Sequence, residues 1–286
     1  MTRSSRTRPA PDAHGVLTYR HLTTQAEFAE VVELERVIWG PGYDDVVPTP
    51  IFAITVHRGG VLIGAFDGPR MVAFVWGLAS IKDGQAAHWS HMMGVLPAYR
   101  GHGVGLELKR LQRARVMELG LSIVEWTYDP LQAMNAHLNF ARLGVVAHEY
   151  EENIYGASGS PLHQGNPTDR LVAEWHVRDE RVETRLAGAR PLAPVLIVEP
   201  LNAPTRHGRW LVPGAQHSDI DARLVSLTIP MGFTEMLAEA PTLALEWRMA
   251  TRALFTAYLR RGYGVAEFFL DPEQGRGWYL LRRQST

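Results

Sequence analysis

The chain has 286 residues, a formal net charge of −1, 46% hydrophobic residues and no cysteine. That length buries a large core and suggests about two domains, while the near-zero charge excludes the basic excess of a general nucleic-acid binder. Without cysteine there is no disulfide, thiolate metal site or cysteine nucleophile, and no run of ~18 apolar residues marks a membrane span.

Residues 1–14, MTRSSRTRPAPDAH, lack an apolar stretch and read as a disordered tail; the protein is expected to be soluble and cytoplasmic. GVLTYRHL alternates like a strand. Thr24 then caps a helix to about Trp39, with Phe28, Val31, Val32, Leu34 and Ile38 as its apolar face. A Pro- and Gly-rich loop leads into GVLIGAFDG and RMVAFVWGLAS, joined at Asp67-Gly68-Pro69 as a hairpin. HWSHMMGVLP is the next strand, and Leu106, Leu108, Leu111, Val116 and Leu119 give the stripe of a helix ending at Gly120. SIVEWTYD, PLQAMNAHLNFARLG and VVAHEYEENIYG read as strand, helix and strand, the helix stopped at Gly144. The order β-α-β-β-β-α-β-α-β specifies an α/β fold with a mixed sheet.

Gly, Pro and polar residues concentrate in GASGSPLHQGNPTD, which places a boundary near residue 158. Beyond it, RLVAEWHV, PVLIVEP and ARLVSLTIP read as strands, Thr242 to Arg261 as a helix, and GVAEFFL and GWYLLRR as strands. This second half loosely echoes the first. RLVAEWHV, as an apolar edge strand, suggests pairing between chains or domains, hence a homodimer as one arrangement.

LPAYRGHGVG gathers three glycines and an arginine between a strand and a helix. Gly101, Gly103 and Gly105 give G-x-G-x-G, which is not the G-x-G-x-x-G of a dinucleotide fold, and Glu125 lies mid-strand rather than closing it as a ribose ligand. No Gly-Lys-Ser/Thr of a P-loop is present. An R-x-x-G-x-G turn formed by Arg100, Gly103 and Gly105 fits better: its N–H groups at a helix start can cradle a pyrophosphate. A plain strand-to-helix turn is the alternative.

GVLPAYRGHGVGLELKRLQ resembles the acyl-CoA-binding motif of the GNAT acyltransferase superfamily, and the element order up to Tyr155 matches that fold. The resemblance implies a GNAT domain over residues 15–158 with splayed central strands. A C-terminal, partial GNAT-like α/β domain over residues 159–286 lacks a CoA motif. It implies that Arg100, Gly101, His102, Gly103, Val104, Gly105 and Leu106 surround the CoA pyrophosphate, and that Met93, Gly94 and Val95 pair with the pantetheine arm as an added strand would. Asn135 matches the superfamily's CoA-facing asparagine, whereas the position of its proton-donating tyrosine holds Phe140. The implied activity is acyl transfer from acyl-CoA, acetyl-CoA first, to a primary amine of a small molecule, without metal, nucleic acid or membrane. WTYDPLQAMNAHLN with NIYG and TDRLVAEW also resembles a GNAT subgroup with relatives linked to amino-acid N-succinylation, so a succinyl-CoA-dependent enzyme is an alternative. A CoA-binding sensor or scaffold without catalysis is another.

Acyl transfer to an amine requires a base, an oxyanion donor, orientation and an acid for the thiolate. His91 is the candidate base, since its ordinary pKa of roughly 6.5 suits the task. Strict alternation places it with Met93 and Val95 on one face, and a half-buried structural histidine is its alternative role. The backbone N–H near Gly94 or Val95 is the candidate oxyanion donor. Asp129 ends the next strand as an ammonium receiver or base, or simply as an Asp-Pro turn. Tyr155, or Tyr150, is a candidate donor to the thiolate. Trp39 and Trp126 are candidate walls of the acceptor pocket, and Arg170 a candidate carboxylate ligand. Lys109, Arg110, Arg113 and Arg115 read as attraction for the CoA 3′-phosphate or as a solvated helix face.

Overall fold

The computed structural model describes residues 16–40, 43, 45–156, 165–191 and 198–284; the expected tail over 1–14 and the expected boundary at 158 lie outside them. After β1 (Thr18–His21), α1 (Gln25–Trp39) starts where its cap predicts: the Thr24 hydroxyl accepts from the Glu27 N–H and the Glu27 carboxylate accepts from the Thr24 N–H. This reciprocal box satisfies donors that a helix start leaves open. A second helix, α2 (Thr49–His57), has no counterpart in the periodicity. Ile51, Ile54, Thr55 and Val56 are β-branched and read against helix; the helix is held instead by fully buried Phe52, edge-on to Trp76 and beside Phe28.

Strands β2 (Val61–Asp67), β3 (Arg70–Lys82) and β4 (Gln85–Val95) form an antiparallel meander with the Gly68–Pro69 turn in place. Then follow α3 (Val104–Glu118), β5 (Ile123–Tyr128), α4 (Ala133–Ala136), a π-helical turn His137–Leu143, β6 (Val146–Glu151) and β7 (Arg170–His176). The sheet order is β1-β2-β3-β4-β5-β7-β6. RLVAEWHV is therefore neither an edge strand nor part of the second half. It pairs with β5 on one side and β6 on the other, so the first unit runs through His176. As an interior strand it gives no support to pairing between chains.

Helix α1 packs on β3 and β4, and α3 packs on β2, β3 and β4 from the other face. The opposition is visible at two neighbours on β4: a Cβ on Gly94 would meet Ile38 and Trp39 of α1, whereas Met93 lies against Gly105 of α3.

The remaining elements are α5 (Glu180–Leu186), β8 (Glu199–Pro200), a hairpin of β9 (Thr205–His207) and β10 (Trp210–Val212), β11 (Leu224–Pro230), α6 (Phe233–Glu239), α7 (Pro241–Arg260), β12 (Tyr263–Asp271) and β13 (Arg276–Arg283). The sheet continues as β6-β12-β13-β11-β8, with the Val265↔Ala147 rung as the seam. The run β11-α6/α7-β12-β13 repeats β5-α4-β6-β7 in order and in pairing. Strand β8 lies parallel to β11 as β4 lies parallel to β5. LVSLTIP thus corresponds to β5, not to β4. The counterpart of β4 is two residues long, and the β9–β10 hairpin stands between β8 and β11 where α3 stands in the first half. Among the described residues the second half therefore has no glycine turn leading into a helix at that place.

The two halves share one aromatic core. Tyr279 of β13 packs edge-on against Phe140, Phe255 and Phe268, and its hydroxyl donates to the Pro130 carbonyl at 2.7 Å. Buried polar tips of this kind persist only where a partner is supplied.

Candidate active site

Strands β4 and β5 pair through only two rungs, His88↔Val124 and Trp89↔Glu125. Beyond them the strands part, as the GNAT resemblance implies. Among the described residues the β5-side edge of residues 90–95 then has no strand partner, while β3 still pairs with the other edge up to Val95. An edge of free N–H and C=O groups is a template for an extended ligand.

The fork has a local cause. Trp76 pairs with Met92 and Leu78 with Trp89, so Ser90 and His91 together oppose Gly77 alone. This bulge bends the strand away from its neighbour and reverses the alternation beyond it. It requires glycine at 77, where a Cβ would stand 2.3 Å from His88 Nε2 and 2.6 Å from the Trp89 carbonyl oxygen. The expectation that His91 shares a face with Met93 and Val95 is corrected accordingly. Met93 faces α3, while His91 lies edge-on to Trp76, whose indole donates to Thr55 of α2.

His91 accepts from Trp89 Nε1 through Nδ1 at 3.3 Å. An indole only donates, so the neutral ring carries its proton on Nε2. Partial burial against the two tryptophans lowers its pKa below the usual value. In this arrangement the outward nitrogen is a donor, not the lone pair that a base presents.

The glycine turn lies at the mouth of the fork. Gly101 and Gly103 have φ of 81° and 84°, the left-handed region, with open space around the position of a Cβ. Here glycine is required by conformation. Gly103 offers α3 no side-chain cap, and the first turn's N–H groups of Val104, Gly105 and Leu106 precede the first intrahelical bond from Glu107. Arg100 folds back, Nε donating to the Val95 carbonyl at 3.0 Å, and so ties the turn to the end of β4. His102 is exposed at the turn's tip. Asn135 is exposed on α4, the helix after β5. Phe140 is fully buried among the Tyr128 and Tyr279 rings.

Lys109 does not form a solvated face. It is 3% exposed, one helical turn beyond Gly105, with Nζ 2.8 Å from Ser90 Oγ, 3.2 Å from Gln112 Oε1 and 3.7 Å from the centroid of the Trp126 ring. Burial lowers its pKa to about 7. The other basic residues of α3 are engaged locally: Arg113 with Glu183 and the Val177 carbonyl, Arg110 with Glu107 and the Leu186 carbonyl, Arg115 with Glu118.

Period-2 alternation along β5 sorts the rest. Trp126 lies beneath Lys109 of α3 and Tyr128 against Phe140 of the π-helical turn, whereas Glu125 and Thr127 face the open side. Trp126 is thus not a wall of the acceptor pocket: it is 7% exposed, beneath Lys109 and edge-on to Trp175. Trp39 does face the open side, stacked on Tyr43 and packed on Phe74 beside Gly94. Tyr155 lies on that side too, its hydroxyl 2.8 Å from Thr127 Oγ1 and its ring under the Arg170 guanidinium. Tyr150 faces the opposite way, stacked on Phe255 and donating to Asp169. Glu35 of α1 is fully buried and accepts from the Val47 N–H through Oε2, while among the described residues Oε1 has no hydrogen-bond partner. Burial raises its pKa to about 7.

Asp129 is neither base nor ammonium receiver. Arg248 of α7 grips both its oxygens at 2.8 Å, and Oδ1 also accepts from the Leu131 N–H. Burial works to raise its pKa, but the guanidinium outweighs burial and holds it below the usual value. One helical turn on, Arg252 grips Asp169 at 2.8 and 2.6 Å, and Asp169 also accepts from Tyr150 and the Asn153 N–H. Arg170 donates to the Asp169 carbonyl at 2.9 Å. The C-terminal half thus clamps the ends of β5 and β7. Sequence reasoning misses Thr127, Tyr43, Ser90, Gln112, Arg248 and Arg252. Only Arg248 and Arg252 carry a local signal, as arginines four apart on the otherwise apolar face of a helix.

No family model matches the chain, and no curated protein matches it. Among solved structures, a ribosomal-protein-alanine N-acetyltransferase from Escherichia coli is similar over 57% of this chain and 94% of its own, with 15% identity and a TM-score of 0.45. A GNAT-family acetyltransferase from Streptococcus pneumoniae is similar over 55% and 97%, with 14% identity and a TM-score of 0.44. A Salmonella typhimurium protein solved with its cofactor acetyl-CoA is similar over 58% and 96%, with 16% identity and a TM-score of 0.45. The strand order, the fork and the glycine turn stand independently of these likenesses.

Proposed function

We propose that the chain is an acyl-CoA-dependent N-acyltransferase that moves an acetyl group to a primary amine by direct attack. The observation that carries this reading is the fork: two rungs of parallel pairing, then an unpartnered β4 edge that leads to a glycine turn at the start of α3. The N–H groups of Val104 to Leu106 meet the pyrophosphate, and the free edge of Met93 to Val95 pairs with the pantetheine arm. A backbone N–H of the same edge faces the oxyanion. The acceptor amine approaches from the open face, between Trp39 and Tyr43 on one side and Tyr155 on the other. The desolvated Arg170 supports an acceptor that carries an anionic group beside its amine. His91, held as the Nε2–H tautomer, orients the acyl or acceptor group as a donor.

Calorimetric titration with CoA and acetyl-CoA tests the reading. Saturable binding near one per chain, lost in Arg100→Glu with Gly103→Asp, followed by amine-dependent release of free thiol, is the expected result. Absence of binding overturns it.

A further inference from the structure

A lysine with no carboxylate partner among the described residues lies at the apex of the fork. Ser90 is the first β4 residue beyond the last β4–β5 rung and Trp126 the first β5 residue beyond it, and Lys109 Nζ touches both. At 1.5 Å per residue its Cα stands about 9 Å along α3 from Gly103, on the face that Gly105 turns toward Met93. Glycine turn, fork edge and amine therefore line one path on one side of the sheet, with Tyr155 and Arg170 on the other.

The surrounding hydrogen bonds have a fixed direction. Lys109 and Ser90 both donate to Gln112 Oε1, at 3.2 and 2.9 Å, which turns the Gln112 amide nitrogen toward His88 Nε2 at 3.3 Å. His88 therefore accepts at Nε2 and carries its proton on Nδ1. It is fully buried, and burial, followed by the neighbouring ammonium, lowers its pKa to about 4, so it stays neutral. Among the described residues it is the one titratable side chain besides Lys109 that is bonded into the cluster. β5 turns Glu125 to the opposite face, and among the described residues no acid is ion-paired with Nζ. An ammonium has three N–H groups. Two are engaged by Ser90 and Gln112, and the third lies over the Trp126 ring, a weaker partner that a sulfur anion displaces.

Resting on the acyl-transfer reading above, we infer that Lys109 is the acid of the reaction: its third N–H donates to the CoA sulfur as the thioester breaks. The carbon–sulfur bond cleaves with its electron pair passing to sulfur. A proton moves from the Lys109 ammonium to that sulfur, and the neutral amine is reprotonated from solvent after the thiol departs. The departing thiolate supplies the counter-charge that burial denies Lys109, so nitrogen and sulfur hold the proton between them until the thiol leaves. The assignment also accounts for an ionisable amine retained in a wholly buried position without a counter-ion, where burial alone disfavours it.

The test follows the ultraviolet absorbance of the thiolate of bound CoA as pH is raised, in wild type, Lys109→Met, Lys109→Gln and Lys109→Arg, each checked for folding by its melting curve. In wild type the bound thiol titrates about one pH unit or more below free CoA, because the ammonium stabilises the anion. In the Met and Gln variants the depression disappears. The Arg variant keeps it but, holding its proton too tightly to transfer it, loses turnover by on the order of 10²-fold. An identical thiol titration in wild type and in either neutral variant, with CoA bound, overturns the assignment while leaving acyl transfer standing. Failure of wild type to bind CoA overturns both.

Discussion

Replacing Arg248 with Met probes whether the C-terminal half builds the site in the N-terminal half. Arg248 is 2% exposed and supplies both hydrogen bonds to the Asp129 carboxylate, with Nε 3.2 Å from Asn166 Oδ1. Methionine fills much of the same volume but leaves Asp129 desolvated without its counter-charge. Losing one partner of a buried pair costs about 3–5 kcal/mol. At ~2–4 °C per kcal/mol for a chain of this size, the melting midpoint falls by roughly 10 °C at pH 7. The pH dependence carries a sign. In wild type the folded Asp129 pKa lies below its ordinary 3.8, so its stabilising contribution is complete above that value and is lost as pH falls through the folded pKa. In the variant only the Arg170 charge and the Leu131 N–H still oppose burial, so that pKa rises relative to wild type and the deficit shrinks as the pH is lowered from 7 to 4. The double variant Arg248→Met, Asp129→Asn is expected to lose less than the sum of the two single losses. Urea and thermal unfolding across that pH range measure all of this. A single variant within ~0.5 kcal/mol of wild type, or strict additivity in the double, refutes the clamp.

Other substitutions reach separate parts of the fork and its pocket. Gly77→Ala forces a Cβ to 2.3 Å from His88 Nε2 and 2.6 Å from the Trp89 carbonyl, and is expected to cost about 1–3 kcal/mol in urea unfolding and to weaken CoA binding through loss of the bulge. Gly103→Ala, at φ 84°, is expected to lose about 1 kcal/mol of stability and part of the CoA affinity in calorimetry. Glu35 has a folded pKa raised from 4.5 to about 7, so the protein is most stable below pH 4.5 with respect to this group and loses that contribution as pH rises toward and past 7. Glu35→Gln is expected to flatten this decline, and an unchanged slope of stability against pH between 4.5 and 8 contradicts the assignment of a buried, largely unsatisfied carboxyl.

Much of the cofactor path proposed above is legible along the chain because its parts are local. Thr24 and Glu27 cap α1 across three residues, Gly68–Pro69 turns the β2–β3 hairpin, and the left-handed glycines 101 and 103 precede the apolar stripe of α3. Each depends on backbone conformation or on periods of 2 and 3.6, which short windows of sequence carry. The bulge opposite Gly77 is also local in space, yet its residues are thirteen or more positions apart, so a strict alternation puts His91 on the wrong face. Lys109 looks like a surface lysine among arginines until Ser90 and Trp126 close over it from two strands. Asp129 reads as a free acid until Arg248 arrives from 119 residues away. The strand Arg170–His176 reads as the start of a second unit until it inserts between β5 and β6. Local chemistry and periodicity thus determined, in the sequence by itself, where helices, turns and the left-handed glycines fall. Burial, counter-charges and strand order, which exist only once distant segments meet, were decided by the tertiary structure, and they fix which of the titratable residues are available for chemistry.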